Sequence, residues 1–122
     1  MASTRAQRVG EAIHKEISAL LVKGLKDPRI GFVTITAVQV NSDLSLAKIF
    51  FTVMGEEKAR LDSAAGLKSA VPFLRREVGK LLRLRHAPEL VFHYDDSIEY
   101  AHRMEALIRQ AQTGQGDDRD DS

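Results

Sequence analysis

The chain has 122 residues, of which 43% are hydrophobic, and a formal net charge of only +1. This length and composition suit one compact domain with its own core, and the near-neutral total does not favour a uniformly basic nucleic-acid binder. The absence of cysteine excludes disulfides, thiolate metal sites and a cysteine nucleophile. Without an apolar run of membrane-spanning length or a signal-peptide core, we expect a soluble cytoplasmic protein.

The first half of the chain predicts a helix followed by a β-hairpin. Apolar residues recur at helical spacing from Val9 to Leu20. Residues 26–29, Lys-Asp-Pro-Arg, are typical of a turn, because proline fixes its own backbone and disfavours helix at the preceding residue. The β-branched segment Phe32 to Val40 predicts a strand. A turn over 41–43 and a second, alternating strand over 47–53 complete the hairpin.

The second half predicts two helices that meet at a kink. Helical spacing returns from Glu56 to Val71, and Pro72 lacks the N–H that a continuous helix would need at this position. We therefore expect Pro72 to open a second helix, which ends before Pro88. A short strand follows from Glu89 to Tyr94, with alternate residues on a common face.

The chain is expected to finish with a helix and an acidic tail. Asp96 and Glu99 resemble a capping box, and an apolar stripe follows along the helix through Ile98, Ala101, Met104 and Ile108. Residues 114–122 hold four Asp against one Arg. We therefore predict a single domain over residues 1–112 and a disordered acidic tail over 113–122.

Positive charge is concentrated in one stretch. Between Lys68 and Arg85 there are six Lys or Arg residues and one Glu. At about 100° per residue, Arg76, Lys80 and Arg83 form one helical stripe. An apolar stripe on roughly the opposite side comprises Leu74, Val78 and Leu81. Like charges stacked on one helix face repel one another, so the pattern indicates a surface that binds an anionic partner.

Several separated motifs together resemble the ribosome-binding factor A family. They are Lys26-Asp27-Pro28-Arg29-Ile30-Gly31, Asp43-Leu44 with Ala47-Lys48, Leu82-Arg83-Leu84-Arg85, and Pro88-Glu89-Leu90-Val91-Phe92 with Tyr94-Asp95. The likeness covers roughly Arg8 to Ile108. It implies an α+β fold of the type II KH kind, ordered helix, strand, strand, helix, kink, helix, strand, helix, in which helices cover a three-stranded sheet.

The resemblance also implies a function. Members of this family are non-enzymatic factors that bind the 30S small ribosomal subunit and its 16S rRNA. They assist late subunit maturation and 16S rRNA 5′-end processing, including during cold adaptation. We accordingly expect a cytoplasmic monomer without cofactor or metal, with the subunit as its partner and assembly GTPases as further candidates.

The chain departs from the family at the kink. An ordinary KH domain grips the RNA backbone through a GxxG loop, and the family replaces that loop with Ala-x-Gly. The matching residues are Ala70, Val71 and Pro72. Proline offers no backbone donor, so side chains are expected to hold the RNA. The predicted RNA-binding residues are Arg75, Arg76, Lys80, Arg83, Arg85, Lys68, Arg5, Arg8 and Arg29.

Other interpretations of these residues stay open. The basic helix could be a solvated face, or part of a protein-interaction module that meets an acidic protein. Asp27 and Arg29 could serve only to hold their turn. A ribonuclease would need a general acid and base, and the scattered histidines form no recognisable metal or catalytic pattern. Of the strand aromatics, expected mainly in the core, Phe50 is the best candidate for base stacking because it shares a face with Lys48.

Overall fold

The computed structural model describes the backbone of residues 4–121 and the side chains of residues 4–112. Within these residues the order is helix, strand, strand, helix, strand, helix, which confirms the predicted α+β class. The elements are α1 (Thr4–Lys23), β1 (Val33–Val40), β2 (Leu46–Val53), α2 (Glu57–Leu82), β3 (Glu89–Tyr94) and α3 (Ser97–Asp121).

The three strands form one sheet with β2 in the centre. β1 and β2 pair antiparallel as the predicted hairpin, whereas β3 runs parallel to β2. The side chain of Asn41 closes the hairpin turn, since its carbonyl oxygen accepts hydrogen bonds from the backbone N–H groups of Ser45 and Leu46. Leu44 completes the turn in a left-handed conformation, with φ of 62°.

The core lies between one face of the sheet and the helices α1 and α2. Phe51 and Ile49 of the central strand are fully buried, as are Ile13 of α1 and Leu74 and Val78 of α2. Burying one such side chain contributes about 1.5–3 kcal/mol. The packing fixes which side of each helix faces the sheet, and it thereby fixes which charged side chains face solvent.

The structure differs from the expected pair of helices at Pro72. Residues 57–82 form one helix, with Pro72 inside it and no break at Ala70 or Val71. Pro72 cannot donate to the carbonyl of Lys68, but both residues are exposed and water can donate instead. Buried residues on both sides of the proline, Leu67 and Leu74, pack against the same core and hold the two halves in one helix.

The start of α3 is capped by Asp95, without the capping box that Asp96 and Glu99 resemble. The N–H of Ser97 donates to Asp95 Oδ1 (2.9 Å), and Glu99 Oε1 accepts the hydroxyl of Tyr94 (2.7 Å). No capping box joins Asp96 to Glu99 among the described residues. The predicted apolar stripe of α3 is exposed from Ile98 to Ile108. The backbone of α3 continues through residues 113–121, where a disordered tail was predicted, and the side chains beyond residue 112 lie outside the described residues.

Candidate nucleic-acid interface

The start of α1 and the end of α2 lie at the same end of the sheet. In α1, His14 Nε2 bonds the carbonyl of Ile35 (3.0 Å), while Gly10 lies one turn earlier and against Val38, so α1 runs antiparallel to β1. In α2, Arg60 contacts Tyr94 at the end of β3, whereas Arg75 reaches the residues before β3. α2 is therefore antiparallel to β3, and the two helices are antiparallel to each other.

This topology gathers six of the nine predicted RNA-binding residues at that end of the sheet. We call them the basic end, namely Arg5, Arg8, Arg76, Lys80, Arg83 and Arg85. All six are exposed. Lys80 pairs with Glu77 at 3.2 Å, but the other five make no ion pair or side-chain hydrogen bond in the part of the chain that the structure describes. The basic end therefore offers five unpaired guanidinium groups to an external anion.

Arg83 does not continue the helical stripe. α2 ends at Leu82, and Arg83 caps it in the left-handed region with φ of 51°. Arg76 and Lys80 lie on one helix face as expected, while Arg83 and Arg85 belong to the turn between α2 and β3. The apolar stripe is corrected in the same way, because Leu81 is 48% exposed instead of buried.

Arg75 is engaged within the fold. Its Nε donates to the carbonyl of Pro88 (3.1 Å), and one terminal nitrogen donates to the carbonyl of Ala87 (3.0 Å). These bonds tie α2 to the segment that leads into β3. Arg75 and Arg76 are neighbours in the chain, yet only Arg76 has its guanidinium free. A phosphate contact by Arg75 stays a prediction.

Lys68 belongs to the middle of α2, and Arg29 lies beside that part of the helix, away from the basic end. Arg29 forms an ion pair with Asp27 (2.6 Å) and also donates to Ser69 Oγ (2.9 Å). Its side-chain and backbone hydrogen bonds lower the pKa of Asp27 to about 2. Arg29 therefore holds its own turn, as one of the two interpretations expected. Lys68 is exposed and unpaired among the described residues.

The turn over residues 27–31 packs tightly on α2. Ser63 Oγ accepts the N–H of Gly31 (3.1 Å). A Cβ atom added at Gly66 would stand 2.5 Å from Ile30 Cγ1. Because real Cβ atoms do not approach so closely, glycine at position 66 permits this contact. The turn thereby positions the middle of the helix that carries the cations.

Most of the aromatic residues lie on the strands and contact other rings of the sheet. Phe51 is buried and makes edge-to-face contacts with Phe92 and Tyr94. Phe50 stacks on His93, with 5.6 Å between ring centroids, on the face opposite the helices. Phe73 of α2 was not singled out from the sequence, although it is 39% exposed and precedes Arg76 by three residues. That spacing was the signal that could have identified it.

No three His, Asp or Glu side chains among the described residues come together as a group that could hold a metal ion. The same part of the chain contains no helix long and apolar enough to cross a membrane.

The fold and the surface define a class of protein: a helix-covered α+β module with a cationic end. The sequence model of the family described as ribosome-binding factor A matches residues 5–108. A ribosome-binding factor A from Geobacter sulfurreducens is 55% identical over 114 residues, which cover 93% of this chain and 97% of the relative. The chain belongs to the ribosome-binding factor A family.

Two further comparisons agree with this assignment. A ribosome-binding factor A from Brevibacillus brevis is 50% identical over 122 residues and is matched along 100% of both chains. A Thermus thermophilus ribosome-binding factor A, fitted as a homology model into a cryo-EM map of its complex with the 30S subunit, is 24% identical. It has a TM-score of 0.56, and the match covers 77% of this chain and 94% of that one. This last likeness shows the fold alone.

Proposed function

We propose that this chain binds the 30S small ribosomal subunit by placing its basic end against phosphates of 16S rRNA. The single observation that carries the proposal is the set of five unpaired guanidinium groups at one end of the sheet. Each lies in water without an internal acid, and phosphate contacts of this kind dominate the affinity of proteins for nucleic acids. Membership of the ribosome-binding factor A family supports the choice of partner.

In this proposal the protein is a non-enzymatic assembly factor. It assists late maturation of the subunit and 16S rRNA 5′-end processing, including in the cold, as a cytoplasmic monomer of the type II KH kind. Assembly GTPases are candidate partners for its release. The basic end supports a binding role, since guanidinium groups match the geometry of phosphate and offer charge for its recognition.

The decisive experiment compares two triple variants that remove equal charge. The first replaces Arg76, Lys80 and Arg83 by alanine, and the matched control replaces Lys15, Lys23 and Lys58, which are exposed cations outside the basic end. Co-sedimentation with 30S subunits over a salt series measures both. The first variant should lower the slope of log affinity against log salt by about two to three, because each phosphate contact contributes about 0.7–0.9.

The control triple variant should keep most of that slope. Equal losses in the two variants would mean that overall charge, not the basic end, attracts the subunit. Binding to protein-free 16S rRNA fragments separates RNA recognition from the alternative of an acidic protein partner. If the chain bound intact subunits but no rRNA fragment, the protein-interaction alternative would replace this proposal.

A further inference from the structure

Phe73 is an aromatic side chain set among the cations of α2. It follows the exposed Pro72 and is 39% exposed. Arg76 and Lys80 follow it by three and seven residues, which places them on the same side of the helix within two turns. Within the described residues Phe73 makes no ring stacking or cation–π contact. Part of its ring is therefore available to a ligand that also contacts the two cations.

The remaining phenylalanines lack this combination. Phe51 and Phe92 are engaged with each other in the core, and Phe50 is covered on one side by His93. Phe32 is 81% exposed, but it lies at the opposite end of the sheet, where its carbonyl accepts the N–H of Met54. Among the described phenylalanines, only Phe73 combines a ring without a stacking partner with cations of the basic end, the unpaired Arg76 and the Glu77-paired Lys80.

The chemistry of this arrangement matches one part of an RNA ligand. A nucleobase presents a flat π-face, and its backbone carries phosphates on either side of the base. In an A-form duplex both faces of an internal base are covered by stacking, and the deep major groove keeps side chains away from base edges. An aromatic ring beside cations can therefore engage an unpaired base but not a paired one.

We propose that Phe73 stacks on an unpaired base of the RNA while Arg76 and Lys80 bind the adjoining phosphates. This inference rests on the proposed RNA-binding function and adds a preference for single-stranded over duplex RNA. It assigns α2 two separable contributions to RNA binding. The cations supply salt-dependent affinity, and the ring supplies a salt-independent selection for exposed bases.

The test measures the affinity of the full chain for a single-stranded RNA oligonucleotide and for the duplex formed with its complement. Phe73→Leu keeps an apolar side chain but removes the π-face, so it should weaken single-strand binding about 5- to 100-fold. Duplex binding and the salt slope should not change. The control Phe73→Tyr keeps the ring and should bind both RNAs like the original chain.

Arg76→Ala provides the opposite pattern. It should weaken both RNAs and lower each salt slope by about 0.7–0.9, because it removes one phosphate contact. Thermal unfolding checks that the variants fold, and Phe73→Met replaces Phe73→Leu if the leucine variant does not. The two proposals fail in different ways. If the original chain bound neither RNA nor subunits, the proposed function would fall and the role of Phe73 with it.

Salt-dependent RNA binding that is unaffected in Phe73→Leu or Phe73→Met would overturn only the stacking inference. An equal loss for single-stranded and duplex RNA would also overturn it, because the ring would then act by shaping the helix surface. If polyglutamate bound the chain and lost the same factor in Phe73→Leu, the ring would belong to a protein-binding site instead.

Discussion

Charged residues at one end of the sheet have bonding partners within the fold, whereas most of those at the other end have none among the described residues. We call the far end, formed by Glu57, Arg60, Tyr94, Asp95 and Glu99, the paired end. There Arg60 contacts Glu57 at 3.4 Å and lies 4.8 Å from the centre of the Tyr94 ring. Asp95 accepts the hydroxyl of Thr36 at 2.6 Å. At the basic end, in contrast, five of the six cations contact no acid among the described residues.

The difference separates charged groups that bond within the fold from charged groups that the fold leaves without a partner. At the paired end, hydrogen bonds from Ser97 and Thr36 lower the pKa of Asp95, and the bond to Glu99 raises the pKa of Tyr94. These hydrogen bonds thus stabilise the carboxylate form of Asp95 and the protonated form of Tyr94 in the folded chain. At the basic end only Lys80 is paired within the described residues, so an external polyanion could stabilise the other five cations.

The largest expected effect on stability distinguishes Arg75, which bonds to the backbone, from its neighbour Arg76, which does not. Arg75→Ala removes two hydrogen bonds from a charged donor to the carbonyls of Ala87 and Pro88. The free energy of unfolding should fall by about 1–3 kcal/mol, since Pro88 is buried and its carbonyl loses a partner. Arg76→Ala should leave stability within about 0.5 kcal/mol of the original.

Urea unfolding measures the difference in stability between the two variants. In RNA binding the order should be reversed, with the larger effect in Arg76→Ala. Arg76→Ala should weaken binding and lower the salt slope, whereas Arg75→Ala should have the smaller effect on the slope at temperatures where it is folded. Arg75→Lys is a useful control because it keeps the charge but cannot reproduce both bonds. If the two alanine variants lost equal stability, the distinct roles of the neighbours would be wrong.

Arg83 gives a smaller and opposite effect on stability. A side chain in the left-handed region costs about 1 kcal/mol relative to glycine, so Arg83→Gly should stabilise the fold by about that amount. Arg83→Ala keeps the unfavourable backbone and should change stability little. Both variants should weaken RNA binding equally. Urea unfolding together with a salt series tests this, and unequal binding losses would mean that the turn's geometry contributes besides its charge.

Much of the fold followed from the sequence because its signals are local. β3 begins and ends at the predicted residues, 89 and 94, and the hairpin strands differ by about one residue at the ends. Alternation along 47–53 is set by one buried face of the sheet, which leaves a clear pattern. Six of the predicted cations lie at one end because the sheet topology makes the two helices antiparallel, which is a property of the whole fold and not of a local signal.

The features that escaped prediction depend on contacts between distant residues. Continuity of α2 through Pro72 is decided by packing of Leu67 and Leu74 against the core, which overrides the local penalty of proline. The engagement of Arg75 required knowing where residues 87 and 88 would lie. The sequence shows two adjacent arginines, but it does not show which of them hydrogen-bonds within the fold.

The smallest expected effect concerns the pairing of Asp27 with Arg29. The pKa of Asp27 is lowered from 3.8 to about 2 in the folded chain, so the unfolded chain binds its proton more readily. The stabilisation is therefore fully present above about pH 4 and is lost as the pH falls through about 2. Asp43 and Asp95 also have lowered pKa values, so the original chain alone cannot isolate Asp27.

The variant Asp27→Asn isolates the pH-dependent stabilisation by Asp27, because all the other carboxyl groups of the chain are unchanged. The difference in free energy of unfolding between the original chain and this variant should shrink as the pH falls from about 4 to about 2, measured by urea unfolding at each pH. A difference that stayed constant across this range would show that the ion pair does not stabilise the turn. The hydrogen bond to Ser69 would then be the contact that holds Arg29, and the contrast between paired and unpaired charge would have to include the middle of α2.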